Sequence, residues 1–199
     1  MGNLRSVQKA LERSGAVAAV TDDPATLDKA QGVILPGVGA FGDAMANLGT
    51  RRLLAPVLRQ AESGKPLLGI CLGMQLLFDE SEEMGQHRGL GLLPGHVRRF
   101  PEGELKVPHI GWNQLRSARQ APLVNGIEQG AYAYFVHSYY VAPEEPSDVV
   151  ATTHYGTDFA AVVGRGAIWG AQFHPEKSQE VGLRLLQNFV RLVEEEDRP

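Results

Sequence analysis

Pro66-Leu67-Leu68-Gly69-Ile70-Cys71-Leu72-Gly73-Met74-Gln75 joins an apolar run to a cysteine with glycines at i−2 and i+2. With serine in place of Cys71 this would be Gly-x-Ser-x-Gly, the nucleophile elbow. There a strand ends in a sharp turn and a helix begins one residue later. Glycines allow that turn without a Cβ clash. The geometry lifts the nucleophile clear of the sheet and sets it at a helix N-terminus, whose partial positive charge favours thiolate over thiol. A lone cysteine is otherwise usually a small core residue. Here the two flanking glycines favour the elbow.

Outward from the elbow, the first half reads as helices alternating with short buried strands. Val7, Ala10, Leu11 and Ser14 recur at helical spacing, and Gly15 closes that helix. Ala16 to Val20 reads as a strand, Asp22-Asp23-Pro24 as a turn and helix start, and Val33-Ile34-Leu35 as a second strand. A helix around Arg51 to Glu62 ends at Ser63-Gly64-Lys65-Pro66, and the strand Leu67 to Ile70 feeds the elbow. Such alternation predicts an α/β fold, an open three-layer α/β/α sandwich with a mostly parallel central sheet. From about Val97 to Phe173 the chain is strand-rich, with Ala131 to Val141, Val149 to Tyr155, Phe159 to Val163 and Ala167 to Phe173 joined by Pro and Gly turns. That texture predicts antiparallel pairing. An amphipathic helix carrying Val181, Leu185, Leu186, Phe189, Leu192 and Val193 packs back on the sheet, and the acidic tail from Glu194 to Asp197 is solvated.

The whole chain, residues 1–199, reads as one domain without repeats or linkers. Its net charge of −4 argues against a nucleic-acid partner or an anionic membrane surface. One cysteine excludes an internal disulfide and a cysteine-based zinc site, which points to a reducing cytoplasm. The apolar stretch from Pro66 to Phe78 is too short to span a bilayer, and the N-terminus has no signal-peptide core.

A cysteine nucleophile needs a base, and the base needs an orienter. His174 ends an apolar strand in His174-Pro175-Glu176, where Glu176 can reach back to the ring. The elbow and this turn both fall at carboxyl ends of predicted strands, where open α/β sheets place their sites. The other histidines show no metal-ligand spacing, and neither a metal nor a cofactor is expected. Gly37-Val38-Gly39-Ala40-Phe41-Gly42 is a literal dinucleotide fingerprint after a strand, but the acid the motif wants is misplaced: Glu62 ends a helix. Backbone N–H groups of this turn are better used toward a developing oxyanion.

Gly69-Ile70-Cys71-Leu72-Gly73-Met74-Gln75 together with His174-Pro175-Glu176 resembles the class I (triad) glutamine amidotransferases, a flavodoxin-like family. Gly2-Asn3-Leu4-Arg5-Ser6, Pro36-Gly37-Val38-Gly39-Ala40-Phe41, Gly111-Trp112-Asn113 and Lys177-Ser178 narrow the likeness to the glutaminase subunits of imidazole glycerol phosphate synthases, in histidine biosynthesis. The resemblance implies Cys71 as nucleophile, His174 as base then acid, and Glu176 as orienter. It further implies an oxyanion loop at Gly37, Val38 and Gly39 with the Leu72 N–H as second donor, and glutamine-holding positions at Gln75, Glu83, His137, Ser138 and Tyr139. Tyr134 and Lys177 match positions facing a cyclase partner, a (β/α)₈ barrel, in a heterodimer. The family also carries an apolar first strand ahead of the Gly-Asn-Leu-Arg-Ser segment. No such strand stands ahead of Gly2, so a central strand is expected to be missing, with Met1 internal to a longer native chain. Other readings are a glutaminase for a different synthase, such as the vitamin B6 or anthranilate system, a cysteine peptidase with the same elbow, and a non-catalytic binding partner.

Overall fold

A computed structural model describes residues 4–103 and 105–196. In the first half the elements are α1 (Leu4–Arg13), α2 (Pro24–Lys29), β1 (Val33–Gly37), α3 (Phe41–Thr50), α4 (Leu54–Glu62), β2 (Leu67–Cys71) and α5 (Leu72–Leu76). The second half holds β3 (Phe78–Ser81), β4 (His87–Arg88), β5 (Leu93–Arg99), β6 (His109–Gln114), β7 (Arg116–Ser117), β8 (Tyr132–His137), β9 (Tyr139–Pro143), β10 (Val149–Tyr155), β11 (Thr157–Arg165), β12 (Ile168–Ala171) and α6 (Gln179–Glu196). Met1, Gly2 and Asn3 lie outside the described residues, as does Asp197 of the acidic tail.

Local chemistry sets several of these boundaries. Gly15 takes φ 95°, the left-handed conformation that closes a helix, just after α1. Asp23 caps α2, accepting the Ala25 and Thr26 N–H groups, while Pro24 occupies the first helical position. The helix expected around Arg51 begins only at Leu54.

β2 is buried along its whole length, and its side chains alternate between two cores. Leu68 and Ile70 point to the core under α1 and α6, with Val7, Leu185, Leu186 and Phe189. Leu67 points to the other, with Leu27, Phe41, Leu48, Leu53 and Val57 from the helices of the opposite face. That is the three-layer sandwich. The central sheet runs β1-β2-β12-β11-β10-β7. β1, β2 and β12 are mutually parallel, and from β12 to β7 the pairing is antiparallel, so the sheet is mixed. A second sheet, β4-β3-β5-β9, and the two-stranded β6-β8 complete the fold.

Two sequence expectations change here. Ala16 to Val20 forms no strand; Val17 is fully exposed and Val20 half exposed. Strand propensity needs a partner edge, and among the described residues none lies beside this segment. Between it and the outer edge of β1 lies an apolar slot of about 780 Å³, walled by Val7, Leu11, Ile34, Leu53, Val57 and Phe189 among others. The second change is at Ser138. Ala131 to Val141 was expected as one strand, but β8 pairs with β6 and β9 with β5, so the chain crosses between sheets at residues 137–139.

Candidate active site

The elbow forms because two elements come closer than a side chain permits. A Cβ on Gly69 would lie 2.5 Å from the Gly73 carbonyl oxygen, and one on Gly73 would fall on the carbonyl oxygen of Leu35 in β1. Glycine at both places lets α5 seat directly on β1 and β2. Between them Cys71 takes φ 54° and ψ −111°, a strained conformation for a residue with a side chain. The turn sits at the carboxyl ends of the parallel strands, and Gly37, the last residue of β1, is register partner to Cys71.

His174 follows the end of β12, where Phe173 and Pro175 are buried around it. Its Nδ1 lies 2.9 Å from Glu176 Oε1, with both side chains almost completely buried. The Cys71 side chain also acts on the ring. Burial opposes a charged imidazole, but the hydrogen bonds to Cys71 and Glu176, with their negative charge, outweigh it and raise the His174 pKa from 6.5 to about 9. Ser178 holds this turn to β8. Its hydroxyl accepts the Tyr134 N–H at 2.9 Å and donates to the His174 carbonyl at 2.7 Å, while the His174 N–H donates to the Tyr134 carbonyl at 2.9 Å.

Cys71 and His174 open into a pocket of about 560 Å³, a size suited to a small metabolite. Val38, Gly39, Leu72, Gln75 and Glu83 line one part of it, and His137, Ser138 and Tyr139 another. Gly37 is not in the wall; it packs against Leu72 and Gly73. Ser6, quoted only within a family segment, also lines the pocket, and Lys177 stands at it with its ammonium 5.6 Å from the centre of the Tyr134 ring. Tyr134 in turn meets Trp112 edge-on at 5.9 Å. Cys71, His174 and Glu176 are therefore brought together, with Val38, Gly39, Leu72 and the expected glutamine-holding positions around the pocket.

Side-chain partners add detail that spacing did not reveal. Gln75 donates to the Tyr139 carbonyl at 2.9 Å and to Gln172 Oε1 at 3.1 Å, so its amide is engaged by protein. Glu83 accepts the Phe41 N–H at 2.6 Å, which anchors the glycine-rich turn through the first residue of α3. That carboxylate occupies the helix N-terminus where a dinucleotide pyrophosphate would bind, and it removes the fingerprint reading. Gln172, buried in the sheet, donates to Cys71 Sγ at 3.7 Å. Nothing in the sequence marked it beyond its place two residues before His174. Among the described residues no three His, Cys, Asp or Glu side chains converge as a metal site, and no helix is long and apolar enough to cross a membrane.

The comparisons with known proteins agree with this geometry. A solved glutamine amidotransferase superposes with a TM-score of 0.76 at 22% identity, covering 97% of this chain and 95% of that one. PurLQS from Thermotoga maritima gives 0.71 at 23% identity, covering 94% and 91%. Much nearer in sequence is imidazole glycerol phosphate synthase subunit HisH of Syntrophotalea carbinolica, 57% identical over 95% of both chains. The protein of that name from Moorella thermoacetica is 58% identical over 97% of this chain and 91% of its own. Residues 3–193 match glutamine amidotransferase class-I, and this chain belongs to that family, in its imidazole glycerol phosphate synthase subunit HisH branch.

Proposed function

We propose that this chain hydrolyses L-glutamine through a Cys71 thioester and delivers the ammonia to a cyclase subunit, in the cytoplasm. The observation that carries the reading is the buried line Cys71–His174–Glu176, with the nucleophile held at positive φ at the floor of a small-molecule pocket. Cys71 attacks the side-chain amide carbon as a thiolate, its proton resting on His174. The C=O π pair moves onto oxygen, where N–H groups of the 37–39 turn and of Leu72 stabilise the charge. As the C–N bond breaks, His174 gives its proton to the leaving nitrogen and ammonia departs. His174 then takes a proton from water, hydroxide adds to the thioester, and glutamate leaves as the thiolate and imidazolium are restored. Glu176 orients the ring throughout and stabilises the imidazolium whenever His174 carries the proton. No step calls for a metal or a cofactor.

The likeness to HisH subunits supports a (β/α)₈ cyclase as partner, docking on the face where Lys177, Tyr134 and Trp112 cluster. Ammonia released into that barrel would serve synthesis of imidazole glycerol phosphate and an aminoimidazole carboxamide ribotide.

The test is ammonia and glutamate release from glutamine, with and without the cyclase. Cys71→Ala should abolish glutaminase turnover while synthesis from added ammonium salts continues. Retention of more than a few per cent of turnover by Cys71→Ala would overturn the nucleophile assignment. Cleavage of peptides instead of free glutamine would favour a peptidase. Lys177→Ala should weaken stimulation by the partner more than glutamine binding; unchanged stimulation and affinity remove Lys177 from the interface.

A further inference from the structure

Behind the 137–139 turn, one run of hydrogen bonds has a single possible polarity. Asn113 fixes one end. Its Oδ1 accepts the Gln114 N–H at 2.8 Å and its Nδ2 donates to the His154 carbonyl at 2.9 Å, so the amide orientation is settled. The same Nδ2 lies 3.3 Å from His109 Nε2, which must therefore accept. A neutral His109 then carries its proton on Nδ1, which lies 3.2 Å from His137 Nε2. His137 accordingly carries its own proton on Nδ1, and that nitrogen is 2.8 Å from the Tyr139 carbonyl, an obligatory acceptor. Read backward from the Tyr139 carbonyl the assignment is the same. Burial lowers the pKa of His109 to about 4 and of His137 to about 3, keeping both rings neutral near pH 7.

The Tyr139 carbonyl also accepts Gln75 Nε2, which donates to Gln172 Oε1, whose amide nitrogen reaches Cys71 Sγ. A continuous hydrogen-bonded line thus runs from β6 to the nucleophile, through the turn that walls the pocket. His109 is the link that joins Asn113 of β6 to His137 at the end of β8. It faces His137 across the β6-β8 pair and lies stacked between Tyr155, 4.1 Å away, and Phe135, 5.1 Å away.

We propose that His109 is a positioning residue for glutamine: through the Nδ1–H of His137 it sets the 137–139 turn that holds the substrate. The proposal rests on the glutaminase reading above. It goes beyond that reading by assigning a role to a side chain outside the pocket wall.

The experiment compares wild type, His109→Phe and His109→Asn, each with the cyclase partner, in KM and kcat for glutamine. Imidazole ¹⁵N NMR supplies the tautomers. Phe keeps the stacked ring and loses the donor; Asn loses the ring but places an N–H where Nδ1 was. Wild type should show Nδ1-protonated neutral tautomers at both His109 and His137. His109→Phe should raise KM about tenfold, with kcat changed less than about twofold, the loss expected when one buried acceptor is left unpaired. His109→Asn should stay within about threefold of wild type, since the donor to His137 remains. A His137 protonated on Nε2 overturns the line itself. Correct tautomers with an unchanged KM in His109→Phe overturn the positioning role, as do equal losses in both variants. A wild-type complex that releases no ammonia overturns the glutaminase reading, and the role resting on it, while the tautomers still report whether the line exists.

Discussion

Acidification from about pH 7 to about pH 4.5 should cost this chain about 5 kcal/mol of stability through two buried imidazoles. His109 and His137 have folded pKa values of about 4 and about 3, against 6.5 when unfolded. Both are depressed, so below about pH 6.5 the unfolded chain binds protons that the folded chain refuses. Their contribution is complete above that pH, declines steadily below it, and is gone once pH has fallen through about 4 for His109 and about 3 for His137. At about pH 4.5 each unfolded ring is almost fully protonated and each folded ring mostly neutral, a difference of about 2.6 kcal/mol per ring. A domain of ordinary stability has about 5–15 kcal/mol in all, so this pair alone brings it near its unfolding threshold.

Urea unfolding at a series of pH values measures the effect directly. Near about pH 5 the slope of unfolding free energy against pH should exceed that of a His109→Asn, His137→Asn double variant by about 2–3 kcal/mol per pH unit. Above about pH 7 the two slopes should agree. A wild type that is flat from about pH 7 to about pH 4.5 would show that the two rings do not resist protonation in the folded chain. A double variant that keeps the full acid slope would equally show that the protons enter elsewhere, at carboxylates.

His174 has the opposite sign. Its pKa is raised to about 9, so its pairing stabilises the fold fully below about pH 6.5 and loses that contribution as pH rises through about 9. Glu176→Gln should flatten this alkaline limb and move the His174 titration, followed by imidazole ¹⁵N NMR, down by about one unit or more; an unmoved titration would mean that Glu176 does not hold the imidazolium. Gly73→Ala drives a methyl into the Leu35 carbonyl and should cost roughly 1–3 kcal/mol or more in urea melts, with loss of activity, and a neutral result would deny the close approach of α5 to β1. The apolar slot beside β1 should take up 8-anilinonaphthalene-1-sulfonate with strong fluorescence enhancement, whereas no enhancement would show the slot closed in solution.

What was legible in the sequence shares one property: its cause is local. The elbow needs glycines two residues to either side of the nucleophile because strand and helix touch there, and that demand is written in consecutive residues. The His174-Pro175-Glu176 turn is likewise closed within a few residues of itself, so base and orienter could be paired from spacing alone. Where the reading departed from the structure, the cause lies across the fold. Ala16 to Val20 has strand composition, but composition cannot supply the neighbouring edge that makes a strand. Ala131 to Val141 is uniformly β-favourable, and its break at Ser138 reflects a choice between β6 and β5, far away in sequence. The same applies to side chains. Gln75 and Glu83 stand where expected, yet their partners, Tyr139, Gln172 and Phe41, follow from register between elements. His109 is the extreme case, a histidine without motif or spacing that becomes meaningful only once β6 is paired with β8. The sheet crossing at Ser138 brings these together: His137 still pairs with β6 and Tyr139 already pairs with β5, and between them the Ser138 carbonyl accepts the Phe100 N–H at 3.1 Å. Side-chain hydrogen bonds from His137 and Gln75 to the Tyr139 carbonyl add to that backbone pairing and tie the crossing to the pocket. A pocket wall placed where two sheets exchange the chain should therefore respond to the loss of a side-chain donor that polarises this shared carbonyl.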